Sequence, residues 1–213
     1  MNLYQDFKTH TGKRMSKWNH YFPIYERFFN PMRNKSLLIL EIGVSGGGSL
    51  QMWQRYFGPL STIIGIDIDA ECINHQSDGI HVRIGDQSDH SFLLSIINEF
   101  GIPDIIIDDG SHRMDHIISS FEFLYPKISK NGIYLIEDLH TSYWAEFGGG
   151  VNNINSFINI SKSFIDQLNA RHSRGDIIPN FITDHTFGIS FFDSMIVFER
   201  GTVPLKIPIH SGV

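Results

Sequence analysis

Short apolar stretches alternate along the chain with segments of helical spacing, and this alternation constrains the fold more than any other feature. Each stretch ends in, or runs directly into, acidic residues or glycine. The stretches are SLLILEIGV (36–44), TIIGIDID (62–69), HVRIGD (81–86), DIIIDD (104–109) and GIYLIED (132–138). Because strands buried on both faces are apolar without alternation, the pattern predicts a parallel sheet between layers of helices. The predicted fold class is therefore α/β, with a doubly wound, mostly parallel sheet.

The two ends of the chain complete this architecture. Residues 186–201, TFGISFFDSMIVFERG, contain two apolar runs without a helix between them, which predicts a closing antiparallel hairpin through Asp193 and Ser194. The hairpin brings the predicted sheet to seven strands. The first 30 residues carry aromatic side chains at roughly helical spacing, which predicts one helix packed on the sheet. These side chains are Trp18, Tyr21, Phe22, Tyr25, Phe28 and Phe29.

Composition excludes several classes of function. The net charge of −6 and a pI near 6.0 argue against a nucleic-acid partner, which needs a basic surface. Cys72 is the only cysteine, so the chain has no internal disulfide and no cysteine-rich metal site. No apolar stretch approaches the ~20 residues of a spanning helix. We therefore expect a cytoplasmic protein without a membrane partner.

The first predicted strand runs into a glycine-rich segment, EIGVSGGGSL, that is typical of a ligand-binding loop. Glycines at positions 43, 46, 47 and 48 allow close approach to a ligand, and Ser49 can cap the following helix. In open parallel sheets, ligands bind beyond the carboxyl ends of the strands. The glycine spacing departs from GxGxxG, so it matches a nicotinamide dinucleotide site poorly.

Acidic residues also end the next two strands. Asp67 is positioned to accept the two hydroxyls of an adenosine ribose, and Asp86 with Gln87 could hydrogen-bond an adenine amino group. Each acid alone could equally be a helix cap or a solvated strand end. With Glu41 at the end of the first strand, the three acids together favour an adenosyl ligand.

Strands four and five end in acid pairs, Asp108–Asp109 and Glu137–Asp138. Because consecutive strands usually lie side by side, these carboxylates should share one edge of the sheet, where they repel one another unless they bind a cation. Oxygen ligands favour magnesium, manganese or calcium over zinc. His112 is a candidate general base, whereas a zinc site on His112 and His116 is the competing hypothesis.

Several motifs together resemble the class I S-adenosylmethionine-dependent methyltransferases, and more narrowly the macrocin O-methyltransferase family of metal-dependent sugar O-methyltransferases. The resemblance covers about residues 5–200. It is carried by LEIGVSGGGSL, IGIDID, DIIIDDGSH, YLIEDLHTSYW, FGGG and FFDSMIVFE. It implies a Rossmann-like methyltransferase fold, with S-adenosyl-L-methionine and Mg²⁺ or Mn²⁺ as cofactors.

The resemblance also implies roles for individual residues. His112, in the D-x-x-H motif, corresponds to the family's proposed general base. The metal would be held by Asp109, Glu137 and Asp138. The residues expected to form the cofactor site are Glu41, Gly43, Gly47, Ser49, Asp67, Asp86, Gln87 and Asp108.

We expect one methyltransferase domain over residues 1–213. Its parts would be an N-terminal helical segment (1–35), a cofactor and metal half (36–140), a lid and substrate segment (141–185) and the closing hairpin (186–201). The aromatic residues near the N-terminus would also suit a contact in a homo-oligomer.

The expected activity is transfer of a methyl group from S-adenosylmethionine to a sugar hydroxyl of a glycoside or nucleotide-sugar. In this hypothesis His112 is the base, and magnesium chelates a vicinal diol of the acceptor. Three alternatives stay open: methylation of a catechol-type acceptor, a nicotinamide-dependent dehydrogenase, and a non-catalytic adenosyl-binding module.

Overall fold

A seven-stranded sheet forms the centre of the computed structural model, which describes residues 2–202 and 207–212. The strand order is β3-β2-β1-β4-β5-β7-β6. Strands β1 to β5 are parallel, β7 pairs antiparallel with β5, and β6 pairs antiparallel with β7. Their bounds are β1 Leu38–Ile42, β2 Thr62–Asp67, β3 Ile80–Ile84, β4 Ile105–Asp108, β5 Ile133–Ile136, β6 Thr186–Phe192 and β7 Met195–Arg200. The predicted sheet, with its C-terminal hairpin, is confirmed.

Helices cover both faces of the sheet. Their bounds are α1 Leu3–Thr9, α2 Phe22–Phe29, α3 Gly48–Phe57, α4 His90–Phe100, α5 Met114–Leu124, α6 Phe157–Asn169 and α7 Phe181–His185. Short 3₁₀ turns include Asn19–Tyr21, Ala70–His75, Leu139–Tyr143 and Ala145–Phe147. The segment between β2 and β3, where the alternation predicts a helix, contains only the 3₁₀ turn Ala70–His75.

Two apolar cores result from the alternation of side chains along the strands. In β4, Ile105 and Ile107 face the core shared with α1, α2 and α3, whereas Ile106 faces the core shared with α4, α5, α6 and α7. All three isoleucines are fully buried. This two-sided burial explains why the strands read as continuous apolar runs.

The N-terminal region differs from the single helix predicted for it. Helix α1 ends at Thr9, residues 10–18 form an irregular segment, and α2 begins at Phe22 with Pro23 in its first turn. Proline is favoured there because it has no N–H to leave unpaired and its φ already suits a helix. Trp18 lies outside both helices and is exposed. The aromatic residues of α2 pack into the core as expected.

The predicted single domain stays a prediction, and its residues 1, 203–206 and 213 lie outside the described part of the chain. Within the described residues, no helix is both long and apolar enough to cross a lipid bilayer.

Candidate active site

A pocket of about 900 Å³ lies at the carboxyl ends of the parallel strands. Its walls come from the loops that follow β1 to β5 and from the segment that precedes α2. The lining residues are 14–19, Tyr21, 42–46, Ser49, 66–68, 85–87, 109–112, His116, Glu137 and Asp138. This is the edge at which open parallel sheets bind ligands.

The glycine loop is approached by the chain itself. A Cβ at Gly43, whose φ is +93°, would collide with the backbone carbonyl of Asp109. A Cβ at Gly46 or Gly48 would collide with backbone carbonyls of residues 13 and 14. The loop therefore needs glycines because other backbone segments of the protein pack directly against it. Of these glycines, Gly43 and Gly46 line the pocket.

The predicted cap of α3 by Ser49 is wrong. The helix begins after Gly47, which has a φ of +75° and offers no side chain. Ser49 Oγ instead donates a hydrogen bond of 2.8 Å to Glu41 Oε2, because the serine faces inward from the first turn. Gly47 contacts His75 rather than lining the pocket.

Glu41 lies beneath the pocket and is fully buried. Its Oε1 accepts a 3.0 Å hydrogen bond from Trp53 Nε1, and its Oε2 accepts the bond from Ser49. Burial raises the pKa of Glu41, against the opposing effects of Lys17 and these donors. Glu41 is therefore an internal acceptor below the pocket floor and is not among the lining residues.

Asp67 ties the glycine loop to the end of β2. Its Oδ2 accepts backbone N–H groups from Val44 and Ser45 at 2.8 and 3.0 Å, and its Oδ1 accepts that of Asp69 at 3.0 Å. Burial alone would raise the pKa of Asp67, but these donors outweigh it and the pKa is lowered. The carboxylate lines the pocket and keeps lone pairs for a further donor.

Asp86 and Gln87 line the next part of the pocket. Asp86 Oδ1 accepts the backbone N–H and the hydroxyl of Ser88, which lower its pKa. Gln87 is mostly buried, accepts the Ser111 N–H at 2.8 Å and donates to Asp108 Oδ1 at 3.2 Å. Its polar atoms therefore brace the loop after β4.

Asp108 is buried and does not line the pocket. Its carboxylate accepts hydrogen bonds from Ser120 Oγ at 2.7 Å and from Tyr134 OH at 3.2 Å, besides that from Gln87. Burial raises the pKa of Asp108 against these donors. The acid pair after β4 is thus divided, since Asp109 faces the pocket and Asp108 faces the interior.

Asp109, His112 and Asp138 converge at one end of the pocket. One ligand atom from each lies within 4.8 Å of the others, and His112 Nε2 is 3.8 Å from Asp138 Oδ2. Tyr21 OH donates a 2.6 Å hydrogen bond to Asp138 Oδ1. Two carboxylates and an imidazole at these separations can hold a divalent cation.

Two residues of this cluster have a left-handed backbone. His112 has a φ of 58° and Asp138 a φ of 53°, which costs a residue with a Cβ about 1–2 kcal/mol. Thr141 Oγ1 donates to both backbone carbonyls, at 3.0 Å to His112 and 2.9 Å to Asp138. One buried threonine therefore joins the two strained turns that present the imidazole and the carboxylate.

Glu137 points the opposite way from Asp138. Its Oε1 accepts a 2.7 Å hydrogen bond from Tyr25 OH, and its Oε2 lies 2.9 Å from Lys17 Nζ. Burial raises the pKa of Glu137 to about 8, with a smaller raising effect from Asp109 and opposing effects from Lys17 and Tyr25. The predicted metal ligands are thus neighbours, but Lys17 occupies the space between Glu137 and Asp109.

Sequence reasoning missed Lys17 and Tyr25 as members of the site. Lys17 Nζ is 2.6 Å from Asp109 Oδ2 and 3.8 Å from Glu41 Oε1. Burial alone would lower the pKa of Lys17, but the three carboxylates raise it well above its ordinary value. The only sequence signal was the presence of basic residues in a segment of an otherwise acidic chain.

His116 does not join the candidate metal cluster among the described residues. It lines the pocket from the first turn of α5, whereas His112 lies in the loop before that helix, and His116 Nε2 is 4.0 Å from Asp115 Oδ2. The zinc alternative on His112 and His116 therefore finds no third ligand there.

Aromatic rings surround the end of the pocket that holds His112. The Trp18 and His140 rings lie 5.9 Å apart, and the His140 and Trp144 rings 4.8 Å apart. Phe147 continues the series, 5.9 Å from Trp144 and 6.5 Å from His112. Trp18 and Trp144 are about half exposed, so this aromatic rim offers an apolar surface beside the imidazole.

Comparison with known proteins finds close similarity to sugar O-methyltransferases. The chain is 35% identical over 193 residues to 8-demethyl-8-alpha-L-rhamnosyl tetracenomycin-C 2'-O-methyltransferase of Streptomyces olivaceus, covering 85% of this chain and 50% of the relative. It is 35% identical over 201 residues to demethylmacrocin O-methyltransferase of Streptomyces fradiae, covering 87% and 50%. The chain thus spans about half the length of these curated relatives. No protein-family model matches the sequence.

Solved structures show the same similarity. The MycE methyltransferase of the mycinamycin biosynthetic pathway, solved in complex with Mg, SAH and mycinamycin VI, superposes with a TM-score of 0.83 at 32% identity. The match covers 97% of this chain and 55% of that one. A putative caffeoyl-CoA O-methyltransferase from Staphylococcus aureus, at 12% identity and a TM-score of 0.58, shares the fold alone. The Rossmann-like methyltransferase fold is therefore confirmed.

Proposed function

Because the chain has the methyltransferase fold and resembles sugar O-methyltransferases over most of its length, we propose that it methylates a sugar hydroxyl with S-adenosylmethionine. The acceptor class would be a glycoside or nucleotide-sugar. The observation that carries the proposal is the convergence of Asp109, His112 and Asp138 at the end of a pocket bounded by the glycine loop.

The carboxylates of this cluster suit a hard divalent cation such as Mg²⁺ or Mn²⁺. Asp109 and Asp138 supply carboxylate oxygens, and both side chains remain partly exposed to the pocket. Glu137 is the third predicted ligand. Its Oε2 and the Oδ2 of Asp109 both contact the Lys17 ammonium, which lies between them. A bound divalent cation lowers the pKa of a coordinated hydroxyl.

His112 would act as the general base. Its imidazole lines the pocket and lies beside the Asp138 carboxylate, with His112 Nε2 3.8 Å from Asp138 Oδ2. Tyr21 fixes that carboxylate, and Thr141 fixes the two backbone turns. The chain would thus position the acceptor hydroxyl and receive its proton at Nε2.

The other end of the pocket suits an adenosyl group. Asp67 and Asp86 both have lowered pKa values, so they are ionised acceptors at neutral pH. They would accept ribose hydroxyls and the adenine amino group, respectively. Ser49 lines the pocket as well, and the buried Glu41 and Asp108 would support it from beneath.

The aromatic rim would receive the acceptor beside His112. Sugars present apolar C–H faces that pack on aromatic rings, and the rim extends from Trp18 to Phe147. Trp144 and Phe147 of this rim lie within residues 141–185, which stay the predicted lid and substrate segment.

A thermal-shift experiment tests the cofactors. Chelator-treated protein is heated with S-adenosylhomocysteine, NAD or Mg²⁺, alone and combined. A ligand at about 100 times its dissociation constant should add ~2.7 kcal/mol of stability. We expect stabilisation by S-adenosylhomocysteine and a further effect of Mg²⁺ that Asp109→Ala removes. Stabilisation by NAD instead would refute the methyltransferase proposal.

A kinetic experiment tests the base. His112→Ala should lower turnover by ~10²–10⁴-fold while leaving the affinity for S-adenosylhomocysteine nearly unchanged. His90→Ala is the matched control, because His90 lies on α4 outside the pocket and contacts Ser119. Rhamnosyl glycosides, nucleotide-sugars and a catechol are compared as acceptors. Unchanged turnover in His112→Ala would remove His112 from the mechanism, and turnover of the catechol alone would refute the sugar acceptor.

A further inference from the structure

Lys17 is an unusual occupant of an acidic pocket. Its side chain is only 2% exposed, and its ammonium contacts Asp109 and Glu137 directly. A buried ammonium is strongly unfavourable unless it is paired and hydrogen-bonded. The carboxylates supply that pairing, so the lysine neutralises part of a cluster whose members would otherwise repel one another.

The oxygens that bind Lys17 belong to two of the three predicted metal ligands, Asp109 and Glu137. Lys17 Nζ is 2.6 Å from Asp109 Oδ2 and 2.9 Å from Glu137 Oε2. The other oxygen of Glu137 accepts the Tyr25 hydroxyl at 2.7 Å. A magnesium ion requires its ligand oxygens at about 2.0–2.1 Å. An ammonium and a divalent ion therefore cannot both bridge Asp109 and Glu137.

We propose that Lys17 is a tethered cation that competes with the divalent metal for Asp109 and Glu137, and that metal binding displaces it. The inference rests on the proposed function for the presence of the metal. The exchange replaces a single positive charge by a double one beside Asp109 and the buried Glu137, which favours the metal once it reaches the pocket. Lysine suits the role because its ammonium is a compact charge on a flexible stem.

Displacement of Lys17 should loosen the segment that carries it. Residues 10–18, which we call the strap, cross the glycine loop, where Gly48 N donates to Arg14 O at 3.0 Å and Lys13 N to Gln51 Oε1 at 2.9 Å. The Lys17 side chain anchors the other end of the strap in the acid cluster. Metal occupancy and strap mobility are therefore coupled.

Hydrogen exchange of the wild-type protein gives the first test and needs no variant. Metal-free protein is compared with protein in saturating Mg²⁺, with binding verified by calorimetry and without cofactor. We expect faster amide exchange over residues 12–18 when Mg²⁺ is bound, as the Lys17 anchor is released. Bound Mg²⁺ with unchanged or slower exchange in the strap would overturn the inference.

Metal affinity in two variants gives the second test. Lys17→Met keeps an unbranched side chain one atom shorter and removes its charge, so we expect it to bind Mn²⁺ at least about tenfold more tightly than the wild type. Lys13→Met is the matched control, because Lys13 lies on the same strap and its ammonium donates instead to Asn74 O, at 3.2 Å. Equal or weaker Mn²⁺ binding by Lys17→Met would overturn competition.

The inference and the proposed function fail separately. S-adenosylhomocysteine binding is measured on the same samples. If the wild type binds S-adenosylhomocysteine but no divalent metal, the inference is overturned and the adenosyl pocket stands. If metal binds and releases the strap but S-adenosylhomocysteine does not bind, the inference stands and the proposed function fails.

Discussion

Tyr25→Phe removes one hydroxyl from the interior of the site without changing the packing of the ring. Tyr25 is fully buried, stacks on Phe29 with centroids 6.0 Å apart, and donates a 2.7 Å hydrogen bond to Glu137. A hydrogen bond to an ionised group is worth about 1.5–3 kcal/mol, compared with about 0.5–1.5 kcal/mol for a neutral pair. The cost of the substitution should therefore depend on the charge of Glu137.

The sign of the pH dependence follows from Glu137, whose pKa is raised by burial to about 8. Folded Glu137 therefore keeps its proton up to a pH of about 8, whereas in the unfolded chain the proton is released near 4.5. The stability that protonated Glu137 contributes to the folded state is lost as the pH rises through 8. Tyr25 stabilises the ionised form. We therefore expect Tyr25→Phe to cost ~1 kcal/mol at pH 6 and ~1.5–3 kcal/mol at pH 9.

Urea unfolding of metal-free protein, followed by circular dichroism at both pH values, measures this difference. Tyr125→Phe is the matched control, because Tyr125 is buried and its hydroxyl pairs with the neutral Thr186 Oγ1 at 2.8 Å. Burial raises the pKa of Tyr125 to about 12, so its hydroxyl stays neutral at pH 9 and its cost should not change. If Tyr25→Phe costs no more than the control at pH 9, the charged hydrogen bond is refuted.

Three further predictions concern one residue that lines the pocket and two buried residues outside its lining. Burial raises the pKa of Cys72 to about 11. Ellman's reagent should therefore label Cys72 ~10²-fold more slowly at pH 8 than free cysteine, and the labelling rate should rise with pH. Equal labelling rates for Cys72 and free cysteine would contradict this prediction. Gly43→Ala should lower the free energy of unfolding in urea by more than ~2 kcal/mol, because the φ of Gly43 is +93° and a Cβ there would collide with the Asp109 carbonyl. Wild-type stability would show that the loop can change its conformation to accept the Cβ. Ser120→Ala should cost ~1–3 kcal/mol in thermal unfolding, since it removes the 2.7 Å donor to buried Asp108; a neutral effect would mean that water replaces the hydroxyl.

The sheet and the position of the site could be predicted because both depend on repeating features. Continuous apolar runs identify buried parallel strands, and the carboxyl ends of such strands meet at one edge, so Asp67, Asp109 and Asp138 were expected together. The cap of α3 could not be predicted, because the backbone at Gly47 takes the left-handed conformation and turns Ser49 inward.

The division of each acid pair was also beyond sequence reasoning. Adjacent side chains point in different directions, and Asp138, with its left-handed φ, points away from Glu137 although both residues line the pocket. Lys17 was missed for another reason: no local pattern relates a lysine in an irregular segment to carboxylates in distant strands. The roles of these residues in binding metal and cofactor stay predictions until the experiments above are made.

The contacts of the N-terminal region have a consequence for the order in which the protein folds. Lys17 and Tyr25 reach Glu137 across 120 and 112 positions of sequence, and Tyr21 reaches Asp138 across 117. Closing such long loops is entropically costly and slow, and none of these bonds can form before β5 has joined the sheet. This region is synthesised before β5 and must therefore wait for that strand before its buried polar groups find partners. Intermediates that lack β5 should expose this region to proteases, whereas the complete sheet protects it.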